Sequence, residues 1–179
     1  MSLDGFITDP NAAVEDPGRL HDWMFAAKTD ADAAIVEEMY DSVGAILIGR
    51  GMFDLGVEPW GDPPPFGMPV FILTNRPQPP LERQGGTTYT FVSDGLEAAL
   101  KLAGAAAGDK AVGLWGGANV FRQYLAAGLI DEINVHLAPV VLGGGIPLFE
   151  ELETAPITLE PRSCVQTPGA THLRFGLVR

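Results

Sequence analysis

Hydrophobic residues in this chain alternate between short apolar runs of strand length and longer stretches with a helical period. Three runs carry no charge, as buried strands of a parallel sheet do: residues 43–48, 70–73 and 112–115. Residues 31–39 and 96–103 instead repeat apolar side chains every three or four positions, which predicts amphipathic helices. This alternation predicts an α/β fold with a mixed, mostly parallel sheet and helices on both faces.

The second half of the chain continues the pattern and then changes it. A third helix is predicted over residues 118–127 and a long strand over residues 133–142. Residues 157–166 and 171–178 are predicted to form an antiparallel hairpin around a Pro-Gly turn. Residues 1–7 are typical of a strand end and a turn, so either the first strand is very short or the natural N-terminus lies upstream. We expect one domain over residues 1–179.

Composition and charge exclude several classes of protein. The chain has 11 basic and 23 acidic residues, a formal charge of −12 that disfavours general nucleic-acid binding. Cys164 is the single cysteine, and His21, His136 and His172 match no metal-ligand spacing. The longest uncharged run, residues 133–149, is shorter than the ~20 residues that span a bilayer. We expect a cytoplasmic protein that binds neither metal, membrane nor nucleic acid.

Candidate chemistry lies where three predicted strands end. These ends are Gly49-Arg50-Gly51, Thr74-Asn75-Arg76 and Gly116-Gly117-Ala118-Asn119. Ligands of open α/β sheets bind beyond the carboxyl ends of the strands. Two glycines before a helix allow backbone N–H groups to approach a pyrophosphate, although a plain strand–helix turn explains them equally well. Because Arg50 and Arg76 can each pair with a phosphate at the same edge, a phosphorylated dinucleotide is the better interpretation.

Four segments occur in an order that indicates a family. They are Ser2-Leu3-Asp4-Gly5, Ile48-Gly49-Arg50-Gly51-Met52-Phe53, Leu73-Thr74-Asn75-Arg76-Pro77 and Gly116-Gly117-Ala118-Asn119-Val120-Phe121. Together they resemble the dihydrofolate reductase superfamily, in particular the reductase domain of the riboflavin-biosynthesis deaminase–reductase. The resemblance covers nearly the whole chain and implies the three-layer dihydrofolate reductase-like fold with its C-terminal antiparallel hairpin.

The resemblance also implies NADPH as the hydride donor. The implied cofactor-binding residues are Gly49, Arg50, Gly51 and Met52 along the groove, Thr74, Asn75 and Arg76 at the 2′-phosphate, and Gly116, Gly117, Ala118, Asn119 and Val120 at the pyrophosphate. Met52 stands where the family usually has threonine, which removes one hydroxyl–phosphate hydrogen bond. The peptide between Gly116 and Gly117 is expected to be cis.

Asp4, Trp115 and Trp23 are the candidates on the substrate side. Asp4 lies in a segment that lines the substrate pocket of the resembling reductases, so its carboxylate is the expected catalytic group, by hydrogen bonding to a heterocycle or relaying a proton. A plain Asp-Gly turn accounts for it equally well. Trp115 either stacks on substrate or fills the pocket, and Trp23 is either a lid residue or a structural anchor.

The implied function is NADPH-dependent reduction of a heterocyclic substrate, with hydride transfer to a C=N or imine-like bond. The implied relative is 5-amino-6-(5-phosphoribosylamino)uracil reductase. Dihydrofolate reduction, reduction of an unassigned small molecule, and non-catalytic binding of a nucleotide or small molecule remain alternatives. A homodimer is expected, because residues 133–137 and the C-terminal hairpin offer apolar strands near a sheet edge.

Overall fold

The chain divides into two units. The structure is a computed structural model that describes residues 1–8, 19–25, 29–150, 152 and 154–178. One unit combines Met1–Val36 with Arg122–Arg179, and the other is Glu37–Phe121. The assignment of a single domain over residues 1–179 stays a prediction.

Helices and strands follow the predicted order closely. The helices are α1 (Asp22–Phe25), α2 (Asp30–Asp41), α3 (Arg50–Gly56), α4 (Leu96–Ala107) and α5 (Ala118–Ala126). The strands are β1 (Val43–Gly49), β2 (Val70–Leu73), β3 (Leu81–Glu82), β4 (Thr88–Val92), β5 (Ala111–Gly116), β6 (Glu132–Leu137), β7 (Leu159–Gln166) and β8 (Thr171–Leu177). Among the described residues no helix is long and apolar enough to cross a membrane.

The predicted strand over residues 133–142 is too long. Strand β6 ends at Leu137, and the chain continues without regular structure. Proline lacks the backbone N–H that a sheet requires, so Pro139 interrupts the pairing. The N-terminal residues meet this end of the strand, where the Met1 ammonium donates to the His136 carbonyl at 2.7 Å and the Ala138 N–H donates to the Met1 carbonyl at 2.9 Å.

The unit Glu37–Phe121 is built on a five-stranded sheet in the order β3-β4-β2-β1-β5. Strand β1 pairs in parallel with β2 and β5, β2 pairs in parallel with β4, and only the short edge strand β3 is antiparallel. Ile46 and Ile48 join a core cluster covered by Trp60 and Phe66, while the alternating Leu47 is also buried. Helix α4 packs against β1, β2 and β5. Burial on both faces explains why these strands lack charge.

Strand register brings three predicted segments to one edge of this sheet. Gly49, the last residue of β1, lies opposite Leu73, the last residue of β2, and Ile48 lies opposite Gly116 at the end of β5. Because all three strands run in the same direction, the residues that follow them emerge side by side. The mostly parallel sheet of the sequence-based prediction is therefore confirmed.

The other unit holds a three-stranded antiparallel sheet in the order β6-β8-β7. Strands β7 and β8 form the predicted C-terminal hairpin, closed by the hydrogen bond from the Thr167 N–H to the Ala170 carbonyl at 2.9 Å. The hairpin thus belongs to a sheet distinct from the parallel one. Strand β8 is central, and its partner β7 is exposed over residues 160–166.

A buried hydrogen-bonded chain joins helix α2 to this antiparallel sheet. Asp32, fully buried, accepts hydrogen bonds at its two carboxylate oxygens from Thr29 and Thr167 and contacts His172 Nε2 at 3.2 Å. His172 Nδ1 in turn lies 2.8 Å from His136 Nδ1. A charged carboxylate only accepts, so Nε2 of His172 donates to Asp32. When the His172 ring carries that proton alone, its Nδ1 accepts, and the 2.8 Å contact then requires the proton of His136 on Nδ1.

This hydrogen-bonded arrangement changes the pKa values of Asp32 and His136. Burial alone would raise the pKa of Asp32, but hydrogen bonds from Thr29, Thr167 and His172 outweigh it and lower the pKa to about 2. Burial lowers the pKa of His136 to about 4, and the neighbouring His172 adds to the shift. The fold thus favours an ionised aspartate and a neutral His136.

The lowered pKa of His136 predicts acid-sensitive stability. Between about 4 and the ordinary value of 6.5, the unfolded chain binds a proton at this position and the folded chain does not. The free energy of unfolding should therefore fall as the pH drops through this range, by roughly 2 kcal/mol at about pH 5. Urea unfolding at about pH 5 and pH 7.5 measures this loss.

His136→Gln should remove most of that pH dependence, since glutamine does not titrate. Asn134→Ala, on the same strand but outside the buried chain, is the control and should keep it. An equal loss of stability on acidification in the wild type and His136→Gln would contradict the assignment.

Candidate cofactor-binding site

The two arginines predicted to bind phosphate converge on one carboxylate in the unit Glu37–Phe121. Arg50 Nε lies 2.6 Å from Asp54 Oδ1, and Arg76 Nη2 lies 3.0 Å from Asp54 Oδ2. Asp54 follows Arg50 by four residues in α3, which places both on one face of the helix. Asp54 was not among the residues predicted from the sequence, although its four-residue spacing from Arg50 was the available signal.

Arg50 is held by more than this ion pair. Its Nη1 donates to Gln78 Oε1 at 3.2 Å, and its guanidinium carbon lies 5.6 Å from the ring centroids of both Phe53 and Phe91. Its side chain is 21% exposed, against 68% for Arg76. The aromatic rings and the glutamine hold the Arg50 guanidinium in a fixed position, as cation–π contacts do.

Thr74 and Asn75 form the turn that carries Arg76. Thr74 is buried, its N–H donates to the Val92 carbonyl at 3.0 Å, and its hydroxyl oxygen accepts from the Arg76 N–H at 3.0 Å. Asn75 is exposed beside it. Thr74 thus fixes the backbone at Arg76, and the direct contacts of Thr74 and Asn75 with a cofactor stay a prediction.

Glycines make a closely packed corner between β1, β5 and α5. A Cβ atom on Gly49 would lie 2.7 Å from Val120 Cγ2, and one on Gly116 would lie 3.2 Å from Met52 Cγ and Sδ. Gly117 has a φ of +82°, a conformation that favours glycine, and an added Cβ there would make only an ordinary contact of 3.9 Å with the Gly49 Cα atom. A larger residue at Gly49 would therefore displace Val120, so this corner requires glycine.

The expected cis peptide between Gly116 and Gly117 is wrong. Among the described residues, the one cis bond is Asp62–Pro63. Gly116 has a φ of +156° and Gly117 a φ of +82°, so the strand–helix turn is made by glycine conformations. A trans peptide avoids the cost of about 2.5–4 kcal/mol that a non-proline cis bond carries.

Helix α5 begins directly after this turn. Ala118 is buried, Asn119 is exposed, and the Phe121 N–H donates to the Gly117 carbonyl at 3.0 Å. The first N–H groups of a helix point toward its N-terminus, where the helix dipole favours an anion. Two guanidiniums, a glycine corner and a helix start on adjoining strand ends form a donor set that fits the phosphate groups of a dinucleotide.

Gly51 and Met52 complete the predicted cofactor segment within α3. Gly51 is exposed, and an added Cβ there would meet no atom within 4 Å. Met52 is 37% exposed and its side chain lies against Gly116. The thioether of Met52 therefore occupies space beside the glycine corner without supplying the hydroxyl group that a threonine would.

The predicted substrate residues fall in different units. Trp115 belongs to the unit with the glycine corner, and its half-buried ring packs edge-on against Tyr40 with centroids 5.1 Å apart. Trp23, in the other unit, is 3% exposed and lies 4.6 Å from His136 and 4.9 Å from His172 between ring centroids. Both rings therefore pack in the fold, and their contact with a substrate stays a prediction.

Asp4 is exposed, and its carboxylate is engaged by two backbone N–H groups. Its Oδ2 accepts from the Gly143 N–H at 2.7 Å and its Oδ1 accepts from the Leu142 N–H at 3.2 Å. Hydrogen bonds from Ser2 and from these two N–H groups lower the pKa of Asp4 to about 2. Asp4 is thus a carboxylate at neutral pH that fastens the glycine-rich loop of residues 142–145, and its catalytic role stays a prediction.

Within the described residues, no cluster of three or more His, Cys, Asp or Glu side chains is arranged to hold a metal ion.

The fold of the chain is mixed α/β and of the dihydrofolate reductase-like type. The chain belongs to the RibD C-terminal domain family, whose model matches residues 1–173. The resemblance inferred from the four sequence segments is thereby confirmed.

Relatives and solved structures agree with this membership. The Bacillus subtilis (strain 168) protein YyaP is 29% identical over 86% of this chain and 78% of its own length, and YwjB from the same strain is 26% identical over 85% and 80%. Both are described as uncharacterized. A putative riboflavin biosynthesis protein from Shewanella sp. PV-4 superposes with a TM-score of 0.76 at 24% identity, covering all of this chain and 96% of its own.

The bifunctional deaminase and uracil reductase of Thermotoga maritima superposes with a TM-score of 0.66 at 17% identity. This chain spans 54% of that enzyme. At these identities the superpositions establish a shared fold.

Asp4→Asn should loosen the glycine-rich loop, because one side of the amide donates where the carboxylate only accepts. The expected result is faster hydrogen exchange at the amides of Leu142 and Gly143. If Asp4 also contacts the substrate, kcat/KM should fall about 30- to 1000-fold, as for a lost charged hydrogen bond.

Hydrogen-exchange mass spectrometry over residues 139–147, together with steady-state kinetics on any accepted substrate, separates the two effects. Asp131→Asn, also exposed and in the same unit, is the control. Unchanged exchange at the loop would show that Asp4 does not fasten it, and activity within threefold of wild type would remove Asp4 from the substrate site.

Proposed function

We propose that this protein is a reductase that takes hydride from NADPH and delivers it to a heterocyclic small molecule. The observation that carries the proposal is the pair of guanidiniums from Arg50 and Arg76, which converge at adjoining strand ends beside a glycine corner. Membership of the RibD C-terminal domain family supports a reductase-type domain. The proposal concerns activity, cofactor and substrate, which go beyond family and fold.

Different residues of the chain would bind different phosphate groups of NADPH. Arg50 and Arg76 would neutralise and orient the 2′-phosphate, while Gly116, Gly117 and the first turn of α5 would accept the pyrophosphate. When bound, NADPH would supply the hydride. The protein's contribution would be to hold the reacting groups in register and to limit water, with Trp115 forming part of the apolar surroundings.

The substrate we favour is the ribosylamino-uracil of riboflavin biosynthesis or a close analogue. Support comes from the Thermotoga maritima enzyme, which is named a 5-amino-6-(5-phosphoribosylamino)uracil reductase, and from the Shewanella protein, which is named a putative riboflavin biosynthesis protein. Dihydrofolate and other small molecules are alternative substrates within the same class. Oxidation of NADPH at 340 nm with each candidate substrate tests this choice.

A non-catalytic binding module is the alternative from another class. The same donor set would then sense a nucleotide without reducing anything. Binding of NADPH with no turnover on pyrimidine or pterin substrates would favour this alternative over the reductase.

We also propose a homodimer that forms in the cytoplasm without nucleic-acid or membrane partners. Strand β7 is an edge strand whose residues 160–166 are all exposed, and Val165 is 39% exposed on it. Exposed strand edges usually need a cover.

The dimer predicts a mass near twice the chain's 19.0 kDa in light scattering at micromolar concentration. Val165→Lys should weaken the association by placing a charge on the exposed edge, and Glu97→Lys, on helix α4, is the control. A mass of a single chain at that concentration would rule the dimer out.

NADPH should bind more tightly than NADH, because only NADPH offers a phosphate to the two guanidiniums. Arg76→Ala should weaken NADPH binding about 10- to 100-fold, the loss expected for one charge-assisted phosphate contact, and should leave NADH binding nearly unchanged. Fluorescence titration of both cofactors measures this. Lys101→Ala, an exposed cation on α4, is the matched control. Equal affinity of the wild type for the two cofactors would contradict the proposed phosphate contact.

A further inference from the structure

An acidic residue, Asp54, lies between the two arginines that are proposed to bind the 2′-phosphate. An acidic residue at such a position can also accept a hydrogen bond from a ribose 2′-hydroxyl. We propose that Asp54 is an internal counter-anion in the 2′-phosphate site and limits discrimination between NADPH and NADH. The inference rests on the proposed function and names the residue that sets the cofactor specificity of that site.

The geometry of the carboxylate is that of a substitute for phosphate. Each of its two oxygens accepts a hydrogen bond from a different guanidinium. Oδ1 accepts from Arg50 Nε at 2.6 Å, and Oδ2 accepts from Arg76 Nη2 at 3.0 Å. Hydrogen bonding to Arg50 holds the pKa of Asp54 below its ordinary value, so the group is charged at neutral pH. A phosphate monoester presents three oxygens and nearly two negative charges, and it would use the same N–H donors.

The arginines keep other supports when the carboxylate is removed. Gln78 and the Phe53 and Phe91 rings hold the guanidinium of Arg50. The Thr74 hydroxyl fixes the backbone of Arg76. Loss of the negative charge should therefore leave a cationic site in place, with local charge rising from +1 to +2 over Arg50, Asp54 and Arg76.

The two cofactors meet Asp54 differently. The 2′-phosphate of NADPH must displace the carboxylate from the arginines and is repelled by it. The 2′-hydroxyl of NADH can donate a hydrogen bond to the same carboxylate, which is the role acidic residues take in many NAD-binding sites. Asp54 therefore weakens the binding of NADPH and strengthens the binding of NADH. Both effects reduce the difference in affinity between the two cofactors.

The test measures dissociation constants of NADPH and NADH for the wild type and Asp54→Asn at low ionic strength. The NADPH constant should fall about tenfold in Asp54→Asn, as expected for removing a like charge at close range, and the NADH constant should rise or stay unchanged. Adenosine 2′,5′-bisphosphate and adenosine 5′-monophosphate, as fragments with and without the 2′-phosphate, should repeat the pattern without any contribution from the nicotinamide.

Glu58→Gln is the matched control. Glu58 is exposed in the turn that follows α3, and its substitution makes the same change of net charge. The ratio of the two dissociation constants should stay within twofold of wild type in this variant. Asp54→Ala serves as a second test of direction, and thermal unfolding of both Asp54 variants verifies that they are folded.

The outcomes separate this inference from the proposed function. The preference for NADPH is measured as the dissociation constant of NADH divided by that of NADPH. If the wild type prefers NADPH but Asp54→Asn leaves this ratio unchanged or lowers it, the carboxylate orients the arginines for phosphate. The counter-anion assignment is then wrong, while the reductase proposal stands. If the wild type and both Asp54 variants bind neither cofactor nor either fragment, the proposed function fails and the inference fails with it. A higher ratio in both Asp54→Asn and Asp54→Ala, with the ratio of Glu58→Gln unchanged, supports the counter-anion assignment.

Discussion

Parallel pairing of β1 with β2 and β5 is the constraint on which the candidate site depends. It sends three chain segments out of the sheet at one edge, so Arg50, Arg76 and the glycine turn share that edge although they are up to 67 positions apart in sequence, from residue 50 to residue 117. An antiparallel β1–β2 pair would place one arginine at the opposite end of the sheet. The chemistry of this unit is therefore set by strand direction before any side chain is considered.

The convergence of Arg50 and Arg76 brings two positive charges close together, and residues nearby offset their repulsion. Two guanidiniums at neighbouring strand ends repel each other, and Arg50 has only 21% of its side chain exposed to water. Asp54 offsets the repulsion from within α3, and the Phe53 and Phe91 rings add attraction through their negatively charged faces. Under the counter-anion proposal, this pairing reduces the repulsion between the guanidiniums in the protein without its ligand and competes with an anionic ligand when one binds.

Local pattern predicted the central strands and helices α2, α4 and α5, but not helix α3 or strand β3. It also failed where the structure depends on partners that are distant in sequence. Apolar runs identified β1, β2 and β5 because strands buried on both faces leave a continuous hydrophobic signature. The end of β6 was misplaced because apolar residues continue past Pro139, although the pairing of β6 with β8 ends at Leu137. The exposure of Asp4 and its loop contacts could not be predicted, because Leu142 and Gly143 approach it from 138 and 139 positions away.

Within the site, sequence located the two arginines and the glycine turn but misjudged their surroundings. The arginines stand out because charge is unexpected beside a buried strand, whereas Asp54 resembles any acidic residue on an exposed helix face. Its significance appears only when Arg76 arrives from β2. The Gly116–Gly117 turn was located correctly but given the wrong peptide geometry, since glycine offers more than one way to make the same change of direction.

The acidity of the whole chain bears on how such a site can hold an anion. A formal charge of −12 produces a field that opposes an anionic cofactor at long range. At physiological salt that field is screened within about 8 Å, whereas contacts near 3 Å are screened far less, above all at the mostly buried Arg50. In the proposed function, affinity for phosphate therefore comes from the short-range donors at the strand ends, where one carboxylate against two guanidiniums has more influence than the remaining acidic surface.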